Sequence, residues 1–233
     1  MDQQSPLCGI LIALVLGLTG CASNGAIVDP IIWWDKDDPA DYAKYGPTPV
    51  QRIEALDDLG DRAGSLSAAR RSEEATKIAQ ALPEEENEVI RVHMLRSLAK
   101  LNTPEAYAAI KSSIFDTDAY VRREAVVAMG ASKNPEAVDA LADVLIRDRD
   151  YDVRLAAATA LGQFNSPKAK EALVPALDAR DPAMRFAAIE SLRKTSNVDY
   201  QGDTAKWREF AMGGSPEPPP YSIADQIVPS FFR

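Results

Sequence analysis

Two markers recur through the middle of this chain at a common period, and that periodicity limits the possible folds more than any other feature. Arg91, Arg122, Arg154 and Arg185 stand 31, 32 and 31 residues apart, and Leu98, Met129, Leu161 and Leu192 keep the same intervals. A unit of this length cannot bury its own apolar face and is stable only when stacked on its neighbours. The chain is therefore expected to build a solenoid rather than fold around a single centre.

Each period reads as two antiparallel helices. Asp118, Asp150 and Asp181 lie four residues before the repeated Arg, where a carboxylate caps a helix N-terminus and meets its positive dipole end. Apolar residues follow at helical spacing, as in Val121, Ala125, Ala128 and Met129, and Gly130 or Gly162 is placed to end this first helix. The second helix is predicted to start at Pro104, Pro135 or Pro167, each behind a polar cap at Thr103, Asn134 or Ser166. Its buried stripe is Ala106, Ala109, Ile110 and Ile114 in one unit, then Ala137, Ala140, Leu141, Val144 and Leu145, then Ala169, Ala172, Leu173, Ala176 and Leu177. Pro175 predicts a kink in the last of these. The fold class is all-α, an α-solenoid of about five stacked helix pairs over residues 50–212, with a divergent first unit at Val50–Leu82 and an end closed by Trp207 and Phe210.

The run Asp150-Tyr151-Asp152-Val153-Arg154-Leu155-Ala156-Ala157-Ala158-Thr159-Ala160-Leu161-Gly162 matches the pattern Asp-x-x-Val-Arg-x-x-Ala-x-x-Ala-Leu-Gly throughout. In this the chain resembles the short HEAT repeats, the kind also found in phycobilin lyases, from about Asn87 to Met212. The resemblance implies a buried ladder of Asp and Arg between units, placed on Asp118, Asp150 and Asp181 with Arg122, Arg154 and Arg185. It also implies a concave face lined by the second helices. Subtracting the buried stripe leaves Tyr107, Lys111, Phe115, Val138, Asp139, Ala142, Asp143, Lys170, Glu171 and Val174 as the candidate protein-binding surface.

The N-terminus carries a different kind of signal. An apolar run from Leu7 to Leu18 ends in Leu18-Thr19-Gly20-Cys21, too short for a hydrocarbon core that takes roughly 20 helical residues. It resembles a bacterial lipoprotein signal peptide, residues 1–20, with Cys21 as the lipidation site. Several acyl chains, at ~0.8 kcal/mol per buried CH₂, would hold the protein on a bilayer. The leader Met1–Pro6 departs from the pattern, with Asp2 and no Lys or Arg. Ala22 after the Cys points, by resemblance to enterobacterial sorting, to the outer membrane facing the periplasm. Residues 21–49 form a linker with Ile31-Ile32-Trp33-Trp34, Tyr42 and Tyr45 among acidic residues, and residues 213–233 form a proline-rich tail ending in Phe231-Phe232-Arg233. The linker aromatics either cap the first repeat, insert at the lipid interface or bind another protein, whereas the apolar tail residues either fold back on a groove or engage a partner.

A net charge of −9 argues against nucleic acid, whose binding requires Lys and Arg against phosphates. Cys8 leaves with the signal and Cys21 is modified, so no thiol remains for a disulfide or a thiolate metal site. The only histidine, His93, sits at the repeat position held elsewhere by Glu124, Ala156 and Ala187, without an organised constellation around it. No phosphate loop, serine elbow or His-Glu metal motif is present. The expectation is a monomeric, non-enzymatic, lipid-anchored envelope protein that needs no cofactor or metal and binds one or more envelope proteins through its solenoid surface. The alternatives are a lyase or chaperone for a bilin-like chromophore, or a tether between the membrane and cell-wall or coat components.

Overall fold

The computed structural model describes residues 46–218. The signal segment, Cys21, the linker aromatics and the tail from residue 219 onward lie outside the described residues. Those described are helical and contain no strand. Two helices, α1 (Pro49–Arg62) and α2 (Ala68–Ala81), form the first unit. They are followed by α3 (Glu88–Leu101) with α4 (Pro104–Ser112), and by α5 (Ala119–Ser132) with α6 (Ala137–Arg147). The fourth unit is α7 (Tyr151–Leu161) with a divided second helix, α8 (Pro167–Ala172) and α9 (Val174–Leu177). The fifth is α10 (Pro182–Arg193) with α11 (Thr204–Ala211). The first helices α1, α3, α5, α7 and α10 stack in one layer, and the second helices pack against them in another. The chain is an α-solenoid.

Short polar side chains start most of these helices. Asn87, Asp118 and Asp150 each accept from the backbone N–H groups two and three residues ahead, which satisfies donors that a helix leaves unpaired at its start. Asp181 caps α10 through the Met184 N–H, and Thr103 and Ser166 cap α4 and α8 ahead of the expected prolines. One start differs from the sequence reading. The second helix of the third unit begins at Ala137 rather than Pro135, because the Ala137 and Val138 N–H groups bond three residues back to Asn134 and Pro135 in a tighter turn. Pro175 has no N–H to give the carbonyl of Glu171, and the helix breaks at Leu173 between α8 and α9.

Glycine plays another part than the sequence reading gives it. Helix α5 runs through Gly130 to Ser132 and ends at Lys133, whose φ of 52° is left-handed. Gly130 instead faces Ala160 of α7, where a Cβ would lie 2.8 Å from the Ala160 Cβ. Gly162 does lie at the end of α7, but it too meets the next first helix, where a Cβ would stand 2.6 Å from the Cβ of Ser191. Contact between backbones, not turn geometry, requires glycine at both sites.

The core follows the predicted stripes. Leu98, Met129, Leu161 and Leu192 are fully buried, as are Leu141 and Leu173 from the second helices. The far end is closed by Trp207, also fully buried, which meets Tyr200 edge-on at 4.9 Å and donates from Nε1 to the Gln201 carbonyl at 2.9 Å. A terminal unit needs such a cover because no neighbour buries its apolar face. No helix among the described residues is long and apolar enough to cross a membrane.

Candidate functional site

The second-helix face divides the predicted binding residues into two groups. Lys111, Phe115, Asp139, Asp143 and Glu171 are exposed. Tyr107, Ala142, Lys170 and Val174 are half-buried, and Val138 is buried outright. Val138 is thus a core residue and not a surface one. Its repeat position flanks the buried stripe, and the short side chain there falls wholly inside. Lys170 is committed to the end cap, its ammonium 4.7 Å from the centroid of the Phe210 ring. Asp139 is held by Lys168 across to α8 at 2.6 Å.

Three of the exposed residues converge on one feature. Helices α4 and α6 hardly touch, whereas α2 and α4 pack closely, and the opening between α4 and α6 is a cleft of about 320 Å³. Ile114, Ala140 and Val144 give it an apolar lining, and Lys111, Asp143 and Arg147 supply its charged wall. Phe115 stands beside it at the end of the 3₁₀ turn Ser113–Phe115, with 82% of its surface exposed. The Tyr107 hydroxyl of the same helix is buried without a hydrogen-bond partner. Burial, and then the charge of Glu136, raise its pKa above the ordinary phenol value.

A second constellation runs along the loops that join one unit to the next. Arg91 grips Asp116 with two hydrogen bonds of 3.0 Å, and Arg122 grips Asp148 at 2.9 and 3.0 Å. Arg52 pairs with Glu85 one unit earlier through a single Nη2 contact. In each case the guanidinium belongs to a first helix and the carboxylate to the loop leading into the next. The third edge of the guanidinium secures its own loop: Arg91 donates to the carbonyls of Glu85 and Glu86, and Arg122 to those of Asp116 and Thr117. The ladder carboxylates are therefore Asp116 and Asp148, a correction to the placement on Asp118, Asp150 and Asp181. Asp118 and Asp150 turn back on the first N–H groups of their own helices, and Asp181 does the same while also accepting from the Tyr151 hydroxyl of the preceding unit, so that none of the three is the carboxylate gripped by a ladder arginine.

A profile of HEAT repeats matches residues 75–150 and again 139–203. The chain belongs to the HEAT-repeat family. No curated protein matches it. The profile begins within α2, so the HEAT match leaves α1 and the first half of α2 ahead of it. They nonetheless extend the array, and the Arg52–Glu85 pair joins this first unit to the ladder. As a HEAT-repeat protein the chain is a helical repeat scaffold.

The face of the HEAT array formed by first helices shows two regimes that the sequence did not separate. At its N-terminal end polar contacts bridge successive helices: a hydrogen bond between His93 Nδ1 and Asp57 at 2.7 Å, and ion pairs of Lys100 with Asp61 at 2.6 Å and of Arg96 with both oxygens of Glu124 at 3.1 Å. Further on, Glu124 is replaced in register by Ala156, and α5 and α7 leave a shallow groove of about 670 Å³ lined by Val127, Leu155 and Ala156. His93 is a bridging residue in this seam. Among the described residues no group of His, Cys, Asp or Glu is gathered to hold a metal ion.

Proposed function

We propose that this protein is a lipid-anchored, non-catalytic scaffold of the cell envelope that binds a partner protein through the second-helix face of its HEAT array. The observation that carries the reading is Phe115, an exposed aromatic beside an apolar cleft whose wall carries Lys111, Asp143 and Arg147. Exposed aromatics set among charged groups are the usual anchors of protein contacts. The anchor rests on the Leu18-Thr19-Gly20-Cys21 sequence, and the envelope location follows from it.

Photo-crosslinking in cells separates this reading from its rivals. Probes at Lys111, Phe115 and Asp143 are expected to trap one recurrent envelope protein, while probes at Val127 and Phe186 on the other face do not. Capture from the first-helix face alone, or an identical set of proteins from every position, overturns it. The anchor is checked by the mass of the purified N-terminal peptide, which should carry acyl chains on Cys21 and lose them in Cys21→Ser.

A further inference from the structure

The carboxylates of the ladder sit in strict register with its arginines. Glu85, Asp116 and Asp148 are 31 and 32 residues apart, and the next position in the series is Ala179. Arg154, whose partner should stand there, donates from Nη1 to the Asp148 carbonyl at 2.8 Å, as its equivalents do to their own loops. Its remaining edge, which Arg91 and Arg122 use to grip a carboxylate, meets no such carboxylate among the described residues. The Tyr151 ring lies against the guanidinium, 5.6 Å from centroid to carbon.

The loop that lacks the carboxylate has not moved to close the gap. Arg185 donates to the carbonyls of Ala179 and Arg180 at 2.8 Å, the same contacts by which Arg122 pins the loop before it. Backbone is held in register while the side chain is missing, and the result is a cleft of about 330 Å³ opposite Arg154. Arg180 adds a second positive charge to its wall, and Ile146, 61% exposed, and Met184 make an apolar side. Asp181 also borders it, but the Tyr151 hydroxyl and the Met184 N–H both bond to its carboxylate.

We propose that this cleft binds a carboxylate from another protein, an Asp or Glu side chain flanked by an apolar residue, which completes in trans the ladder that Ala179 leaves open. Arg154 supplies a planar two-donor edge with the geometry that carboxylates accept, and Ile146 and Met184 take the flanking side chain. The site lies on the inter-unit loops rather than in the Phe115 cleft, so it does not depend on the function proposed above.

The test uses the full chain and a fluorescent, end-blocked pentapeptide Ala-Leu-Asp-Leu-Ala, with its Asn counterpart as control. Binding is expected to saturate for the Asp peptide and to weaken about tenfold or more for the Asn peptide and in Arg154→Gln, as loss of a charge-assisted hydrogen-bond pair requires. Ala179→Asp supplies the missing carboxylate in cis, and it should block the peptide while raising the melting temperature, which guards against a misfolded variant being read as loss of a site. Phe115→Ser should leave binding unchanged. No binding to the wild-type chain, equal binding of the Asn peptide, or undiminished binding in Ala179→Asp overturns the proposal.

Discussion

Arg122 and Asp148 are both almost entirely buried, with 6% and 8% of their side chains exposed, and they face one another across the junction of two units. Every donor of that guanidinium for which the structure shows a bond is engaged either by Asp148 or by the carbonyls of Asp116 and Thr117. Removing one partner strands a buried charge, which costs ~3–5 kcal/mol. Arg122→Ala should therefore lower unfolding stability by about that amount, whereas Arg154→Ala, with one backbone hydrogen bond to lose, should cost ~1 kcal/mol. Urea denaturation of the two variants measures the difference, and equal losses would mean that the ladder carboxylates contribute nothing.

The same pair sets an acid dependence. Burial pushes the Asp148 carboxyl upward, but hydrogen bonds from Arg122 and the Asp150 backbone, with the charges of Arg122 and Arg149, outweigh it and hold the group below its ordinary value of 3.8. A carboxyl whose folded pKa is depressed contributes stability that is complete above its unfolded pKa and is lost as pH falls through the folded one. Stability measured from about pH 5 to about pH 3 should fall more steeply for the wild type than for Asp148→Asn, which has no proton to gain. Parallel curves would remove Asp148 from the acid response.

The identity of that carboxylate illustrates what could and could not be read from the chain. Helix phase was legible, because Leu98, Met129, Leu161 and Leu192 recur at one period and each is buried. The ladder was legible only on its Arg side. Each loop carries two aspartates, Asp116 with Asp118 and Asp148 with Asp150, and composition does not say which one caps and which one bridges. A signal did exist: the first of each pair continues backward to Glu85, whereas the second meets Asn87, a cap that cannot make an ion pair. The cleft between α4 and α6 was beyond reach, since it depends on how far two second helices stand apart, and that is set by packing across layers rather than by either helix alone.

Glycine should be tolerant of change at one site and intolerant at another. At Gly162 a Cβ would meet both the Cβ and the Cα of Ser191 at 2.6 and 2.7 Å, so Gly162→Ala forces α7 and α10 apart. Overpacking of this kind costs ~1–3 kcal/mol, more than alanine returns in helix propensity. Gly64 lies in the turn after α1 with nothing within 4 Å of its added Cβ, and there alanine should be neutral or stabilise by ~0.4–1 kcal/mol by restricting the unfolded chain. Thermal denaturation of the two variants should therefore shift in opposite directions, or fall for Gly162→Ala alone.

Lysines on the second-helix face should also separate binding from stability. Both Lys111 and Lys170 look like surface charges in sequence, yet Lys170 rests on the Phe210 ring at the end cap, where a cation–π contact is worth ~0.5–1 kcal/mol. Charge reversal at Lys170 replaces that attraction with a carboxylate against the ring face, so Lys170→Glu should reduce stability by ~1 kcal/mol and confuse any binding result. Lys111 is exposed beside the Phe115 cleft, and Lys111→Glu should stay within about 0.5 kcal/mol of the wild type. Paired measurements of melting temperature and crosslinking yield from Phe115 decide the matter: capture lost in Lys111→Glu at unchanged melting temperature assigns the charge to the partner contact, while capture retained would place the contact elsewhere on the array.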